Sequence, residues 1–339
     1  MRMLARVSIA AIALGAAAMA QAQGTLNVIC SVQVEWCQAM ATEFQKATGV
    51  KMAMVQKGSG EALAQITAEA ANPRTDVWFG GTGDPHLQAA ERGLTMEYVS
   101  PNLAQLQDWA RAQHRQSGGK TVGVYMGALG FGYNTEALEK KKAKAPLCWS
   151  DLLRPEFKGE IQMANPASSG TAYTAIASLV QVMGEDKAFE YLKALHPNVS
   201  QYTKSGTAPV KNVARGEATV SVSFIHDAVT EAVSGFPVKS STPCEGTGYE
   251  IGSMSIVKGA KNMDTAKKFY DWALTAPAQE IGGATKQFQV PSNRSTKVNP
   301  LAPDFSKIKL IDYDSAKYGA SAERKRLIDR WEREVGGAK

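Results

Sequence analysis

Four short segments of this sequence set glycine beside hydroxyl residues just ahead of a predicted helix: Gly58-Ser59-Gly60, Gly81-Thr82-Gly83, Ser168-Ser169-Gly170-Thr171 and Ser205-Gly206-Thr207. The first turn of a helix leaves backbone N–H groups unpaired and carries a partial positive charge. Glycine lets that backbone approach a ligand, and Ser or Thr hydroxyls add donors. Any one such segment taken alone reads as an N-cap, a position Ser and Thr favour. Four of them at strand-to-helix loops describe an anion site that needs no lysine. The donors they nominate are Ser59, Gly60, Thr82, Ser168, Ser169, Gly170, Thr171, Ser205 and Thr207.

Catalytic patterns are missing. No G-x-S-x-G elbow accompanies the Ser168 and His226 that could be imagined as nucleophile and base. No Gly-rich loop ends in Lys-Ser/Thr, so a nucleotide-hydrolysing P-loop is not expected. Histidine occurs four times, without tight metal spacing. A binding protein with no catalytic residue, no cofactor and no metal is therefore expected. Trp36, Trp78, Tyr125 and Tyr173 could stack on a ligand, but buried aromatics are usually core. The four cysteines, Cys30, Cys37, Cys148 and Cys244, contain no C-x-x-C, which argues against zinc. An even count in an oxidising compartment argues for two disulfides. Of the three connectivities, Cys30–Cys37 with Cys148–Cys244 is favoured, because the first two are near in sequence.

The elements that must position these groups follow a β-α rhythm. Leu26 to Cys30 reads as a buried strand, Trp36 to Thr48 as a helix and Lys51 to Val55 as a second strand. A helix runs from the Gly-Ser-Gly loop through Glu69, and Asp76 to Phe79 is a third strand. This alternation predicts a parallel sheet flanked by helices. Val122 to Tyr133 is a long glycine-rich strand, suited to passing between lobes close to other backbone. Later elements are a segment capped by Ser150, strands Ile161 to Ala164, Thr219 to Phe224 and Tyr249 to Val257, and helices Thr171 to Met183, Asn262 to Leu274 and Glu323 to Val335. No flexible tether appears, so crossing strands should join two lobes.

The chain opens with two arginines, an apolar run from Val7 to Met19 and Ala20-Gln21-Ala22, the pattern of a cleaved export signal. The run is about thirteen residues, short of the roughly 20 that span a bilayer. Cleavage after Ala22 is expected, with a periplasmic product of 317 residues (339 less 22). The formal charge of +6 falls to +4 without Arg2 and Arg6. That mild excess suits an anionic ligand and not nucleic acid, which needs a concentrated basic patch. The Lys140-Lys141-Lys142-Ala143-Lys144 cluster reads as a solvated helix end.

"DVWFGGTGD", "GVYMGALGFGYNTE", "PLCWSDLLRPEFKGEIQMANPASSGTAY" and "GEATVSVSF" carry a resemblance that extends over essentially the whole mature chain. On them the sequence resembles extracellular solute-binding proteins, in the subgroup labelled ferric-iron-binding periplasmic proteins of ABC transporters. The resemblance implies a two-lobed α/β fold of type II. Each lobe would be a mainly parallel sheet flanked by helices, with crossing hinge strands and the ligand in the cleft. It also implies a membrane permease as partner and a monomeric state. The expected division is residues 1–22 as signal, 23–126 with 250–339 as the first lobe, and 127–249 as the second. Ferric members carry adjacent tyrosines where this chain reads Val222-Ser223-Phe224-Ile225-His226-Asp227-Ala228. Without phenolates hard Fe³⁺ loses its anionic oxygens, so iron is the alternative and not the expectation.

His226, Asp227 and Glu250 instead resemble the groups that hold sugar hydroxyls in the hexose-phosphate-binding branch. Carboxylates would repel a bare phosphate but are strong acceptors for hydroxyls. A ligand with a phosphate head and a hydroxylated body accounts for both features. A phosphonate or other organophosphate, and a hydrolase on the same fold, complete the alternatives.

Overall fold

The computed structural model describes residues 25–336. The expected export signal and its cleavage point lie outside the described residues. Among the described residues no helix is long and apolar enough to cross a membrane.

Strand β1 (Leu26–Cys30) pairs in parallel with β2 (Met52–Gln56) and β3 (Val77–Phe79). Helix Val34–Thr48 covers this group by placing Trp36, Cys37, Met40 and Phe44 on one buried face, at the spacing of a helical stripe. The helix ends at Gly49, which takes the left-handed conformation a C-terminal cap requires. A second parallel group consists of β5 (Ile161–Ala164), β6 (Val199–Thr203) and β7 (Val220–Phe224).

Between the groups run β4 (Val122–Asn134) and β9 (Tyr249–Ile256), antiparallel to each other. The strand order is β2-β1-β3-β9-β4-β7-β5-β6, and β8 (Val238–Ser241) also pairs β4. The first half of β4 pairs β9 through Ala128; its second half pairs β7 from Leu129 onward. Val122, Val124 and Tyr125 accordingly belong to one buried core, and Leu129 and Phe131 to another. A single strand thus enters two cores, which makes β4 and β9 the crossing strands of a two-lobed molecule.

The expected division needs one correction. Tyr313, Tyr318, Leu327, Trp331 and Val335 pack in the second core, not the first. Leu327, Trp331 and Val335 recur every four residues and form one face, but a stripe does not say which core it covers. Helix Glu185–Leu195, unmarked in the sequence reading, decides it. Its Glu185 accepts from both Arg326 and Arg330 at 2.7 Å. The chain therefore crosses a third time before Leu310, which bridges Thr247. Ser150 is also corrected. The short 3₁₀ helix Trp149–Leu153 is capped at Cys148, where Asp151 accepts from the Leu147 and Cys148 amides at 2.7 and 2.9 Å.

The cysteines pair as Cys30–Cys37 and Cys148–Cys244. The first bridge ties the end of β1 to helix Val34–Thr48. The second closes a loop of 96 residues inside the second lobe.

Candidate functional site

The cleft between the lobes holds a cavity of about 160 Å³. Of the residues nominated from sequence, the first lobe supplies Ser59 and Thr82 to its wall. The second lobe supplies Ser169, Gly170, Thr171, Ser205, Thr207, His226 and Asp227, and crossing strand β9 supplies Glu250.

Helices Ser59–Ala68 and Gly83–Glu91 start at the cavity from one side, and Gly170–Met183 and Ile225–Val233 from the other. Ser59 Oγ accepts from the Thr82 amide at 3.1 Å, and the Tyr125 hydroxyl accepts from the Gly81 amide at 2.9 Å. Those two contacts hold the Gly81-Thr82 loop in place. Ser169 behaves as a cap, with its hydroxyl 3.5 Å from the Ala172 amide. Thr82 occupies a cap position without capping anything: its Oγ1 is buried and has no partner among the described residues.

Gly60 and Ser168 depart from the expectation, because neither lines the cavity. The Gly60 amide donates to the Ser168 carbonyl at 3.1 Å. The Ser168 hydroxyl donates to the Lys204 carbonyl at 2.9 Å. A Cβ on Gly60 would stand 2.9 Å from the Ser168 carbonyl oxygen and overlap that of Ala167. These residues clasp the two lobes together instead of facing a ligand. The Ser168 hydroxyl, committed to backbone, also makes no contact with His226, so the imagined nucleophile and base do not meet.

The acceptor end is built around β4. Gly127 faces Glu250 across the strand pair. A Cβ there would come within 2.5 Å of the His226 ring and 3.2 Å of Glu250 Oε1, so glycine is what makes room for both. His226 Nε2 stands 3.6 Å from Asp227 Oδ1 and 3.9 Å from Glu250 Oε1, too far for hydrogen bonds. Burial pushes the imidazole down to about 3, which disfavours the charged ring an ion pair would need. Burial pushes Asp227 up to about 7, against the pull of Lys211 and the Gln33 hydrogen bond. Glu250 is held well above its ordinary value by burial, and then by Asp227 and Asp84. The carboxyls are thus desolvated groups whose charge depends on what they meet.

Several lining residues were not nominated from sequence. Lys57 adds a cation beside the Gly-Ser-Gly loop, and its adjacency to that loop was the available signal. Gln33 donates through Nε2 to Asp227 Oδ1 across the cleft. Gln289 and Phe224 complete the wall, and the Phe224 ring stacks on His226 with centroids 5.6 Å apart. No local pattern marks either glutamine. Of the four aromatics considered for stacking, only Tyr125 reaches the cavity; Trp36, Trp78 and Tyr173 are core.

Comparison with known proteins agrees with this architecture. The model of the bacterial extracellular solute-binding protein family matches residues 80–318. The periplasmic binding protein AfuA from Actinobacillus pleuropneumoniae, solved with exogenous fructose-6-phosphate bound, is 49% identical with a TM-score of 0.89, covering 93% of this chain and 100% of that one. An uncharacterized protein of Haemophilus influenzae is 48% identical over 98% of this chain and 97% of its own. The Fe(3+)-binding periplasmic protein of Serratia marcescens is 27% identical over 91% and 89%. The chain belongs to the bacterial extracellular solute-binding proteins.

Proposed function

We propose that this periplasmic solute-binding protein captures a small phosphorylated organic anion, with a hexose phosphate as the best match, and delivers it to an ABC permease of the inner membrane. It is exported with cleavage after Ala22 and works as a monomer. The helix ends, the Ser and Thr hydroxyls and Lys57 hold the phosphate. Asp227, Glu250 and His226 take the hydroxyls. The protein binds and does not catalyse.

One observation carries the reading. Thr82 Oγ1, His226 Nδ1, Gln33 Oε1 and Gln289 Oε1 are all buried, unpartnered among the described residues and located in residues lining one cavity. Orphaned buried polar atoms cost stability unless something meets them. This set mixes atoms that donate and atoms that only accept, as a hydroxylated anion requires. The fructose-6-phosphate held by AfuA, at 49% identity, supports the same ligand class. A cavity of about 160 Å³ is below the size that takes drug-sized ligands. Ferric iron fits less well. Tyr125 is the one tyrosine at the cavity, and burial with the Glu250 charge pushes its phenol far above the ordinary value, away from the phenolate iron needs.

Thermal-shift measurements with hexose 6-phosphates, inorganic phosphate, a phosphonate and Fe³⁺-citrate test the proposal. A ligand that binds only the folded protein raises the melting temperature with concentration. Hexose 6-phosphate should stabilise most. Stabilisation by iron alone would overturn the reading, and turnover of the phosphate ester would replace a binding protein with a hydrolase.

A further inference from the structure

Gln33 stands directly before helix Val34–Thr48 in the first lobe, and Asp227 lies in the first turn of helix Ile225–Val233 in the second. Both are buried, at 4% and 3% exposure. The Gln33 amide donates to the Asp227 carboxylate across the cleft. With Nε2 donating to Asp227, Oε1 of the same amide faces elsewhere, and the ionised carboxylate, which only accepts, is the form this contact favours. That Oε1 has no partner among the described residues.

The same pair is a partition. Gln33, Asp227 and Thr207 line the ligand cavity and also a larger inter-lobe cavity of about 540 Å³, whose wall includes Lys211, Arg215 and Lys286. The donor side of the partition is rigidly mounted. The Cys30–Cys37 bridge closes a ring around residues 31–36. Within it Ser31 donates to the Phe79 carbonyl at 2.9 Å, and Val32 accepts from Gln56 Nε2 at 2.7 Å. The acceptor belongs to the other lobe, so the bond exists only when the lobes are together.

We propose that Gln33 is a closure-dependent positioning residue: its amide aligns the Asp227 carboxylate across the cleft, so that a hydroxylated ligand is retained where a bare phosphate gains nothing. The inference rests on the functional reading above and adds the residue that couples lobe closure to recognition of the hydroxyl end. Inorganic phosphate, held by the helix ends, does not use the pair. Loss of Gln33 also opens the partition to the larger cavity, which speeds escape and leaves encounter unchanged.

Stopped-flow kinetics of the full mature protein with glucose 6-phosphate and with inorganic phosphate provide the test, on wild type, Gln33→Ala, the isosteric Gln33→Glu, Asp227→Asn, and Gln33→Glu combined with Asp227→Asn. In Gln33→Ala the dissociation rate of the sugar phosphate should rise roughly 10-fold, a loss expected for one charge-assisted hydrogen bond. Its association rate should change less than its dissociation rate, and the affinity for inorganic phosphate should fall less than that for the sugar phosphate. Gln33→Glu sets carboxylate against carboxylate and should lose more than Gln33→Ala. In the double variant the amide comes from position 227, and dissociation should be slower than in either of its component single variants. Unchanged dissociation in Gln33→Ala, equal losses for both ligands, or no recovery in the double variant would each overturn the role of Gln33. Absence of sugar-phosphate binding by wild type is a separate result, which removes the functional reading itself.

Discussion

The two ends of the cavity are built from different physics. Apart from the single cation Lys57, the donor end, from Ser59 and Thr82 to Ser169, Thr171, Ser205 and Thr207, consists of neutral groups at helix starts. Each is set by its own strand-to-helix turn, and helix dipoles need no counter-charge to be buried. The acceptor end, His226, Asp227 and Glu250, consists of ionisable groups taken out of water. Its carboxyls are pushed upward and its imidazole downward, all chiefly by burial. On the proposed function, the first end would supply affinity for any phosphate and the second discrimination among phosphate esters. The difference also makes the second end the more sensitive to closure, because desolvation requires both lobes.

The sharpest break of this comparison is Asp227→Asn. A hydrogen bond to a charged group contributes about 1.5–3 kcal/mol, so affinity for a hexose 6-phosphate should fall up to roughly 100-fold. Affinity for inorganic phosphate should change less than about threefold by isothermal titration. Equal losses for both ligands would merge the two ends into one.

A smaller effect, up to about tenfold per pH unit, is expected from proton linkage at the same carboxyl. Asp227, pushed up to about 7, holds its proton below that value, whereas ligand hydroxyls donate best to the ionised form. Affinity should therefore strengthen as pH rises through about 7 and then level off. The ligand's own phosphate also titrates near 6, so the informative quantity is the slope in excess of that for inorganic phosphate. Stability of the ligand-free protein should run the other way. Between the ordinary 3.8 and about 7 the folded carboxyl binds a proton that the unfolded one does not, so this group's contribution falls as pH rises. Asp227→Asn should remove both trends, and their persistence would place the titration elsewhere.

The smallest effects belong to single donors, at about 1 kcal/mol or roughly fivefold for each ligand alike. Thr82→Val and Ser169→Ala separate binding from capping. The Thr82 hydroxyl has no partner among the described residues, so Thr82→Val should weaken both ligands without lowering the melting temperature. The Ser169 hydroxyl accepts from the Ala172 amide, so Ser169→Ala should also cost about 1 kcal/mol of stability. A Thr82→Val protein that binds as wild type does would take Thr82 out of the donor end.

Much of the framework was legible because it is local. Ile161–Ala164 appears as read, and β4 extends one residue past the expected Tyr133 to Asn134. Glycine, hydroxyl and periodicity signals at the four loops mark real helix starts. Legibility failed where a neighbour decides. Gly60 and Ser168 looked like donors, but the Gly60 amide is taken by the Ser168 carbonyl of the opposite lobe and the Ser168 hydroxyl by the Lys204 carbonyl. The face of helix Ser321–Trp331 was readable, yet its partner core was not, because helix Glu185–Leu195 with its Glu185 settles that pairing. Gln33 carries no motif at all; its meaning comes from Asp227, 194 residues away.

By itself the sequence determined the two-lobed α/β framework, the even cysteine count and the inventory of donors and carboxyls, since propensity, capping and hydrophobic period act over a few residues. Only the tertiary structure decided which donors face the cavity, which residues lock the lobes and which carboxyls lose their water. Desolvation and hydrogen-bond satisfaction depend on everything packed around a group. In a cleft between two lobes those surroundings come from segments that no local pattern links.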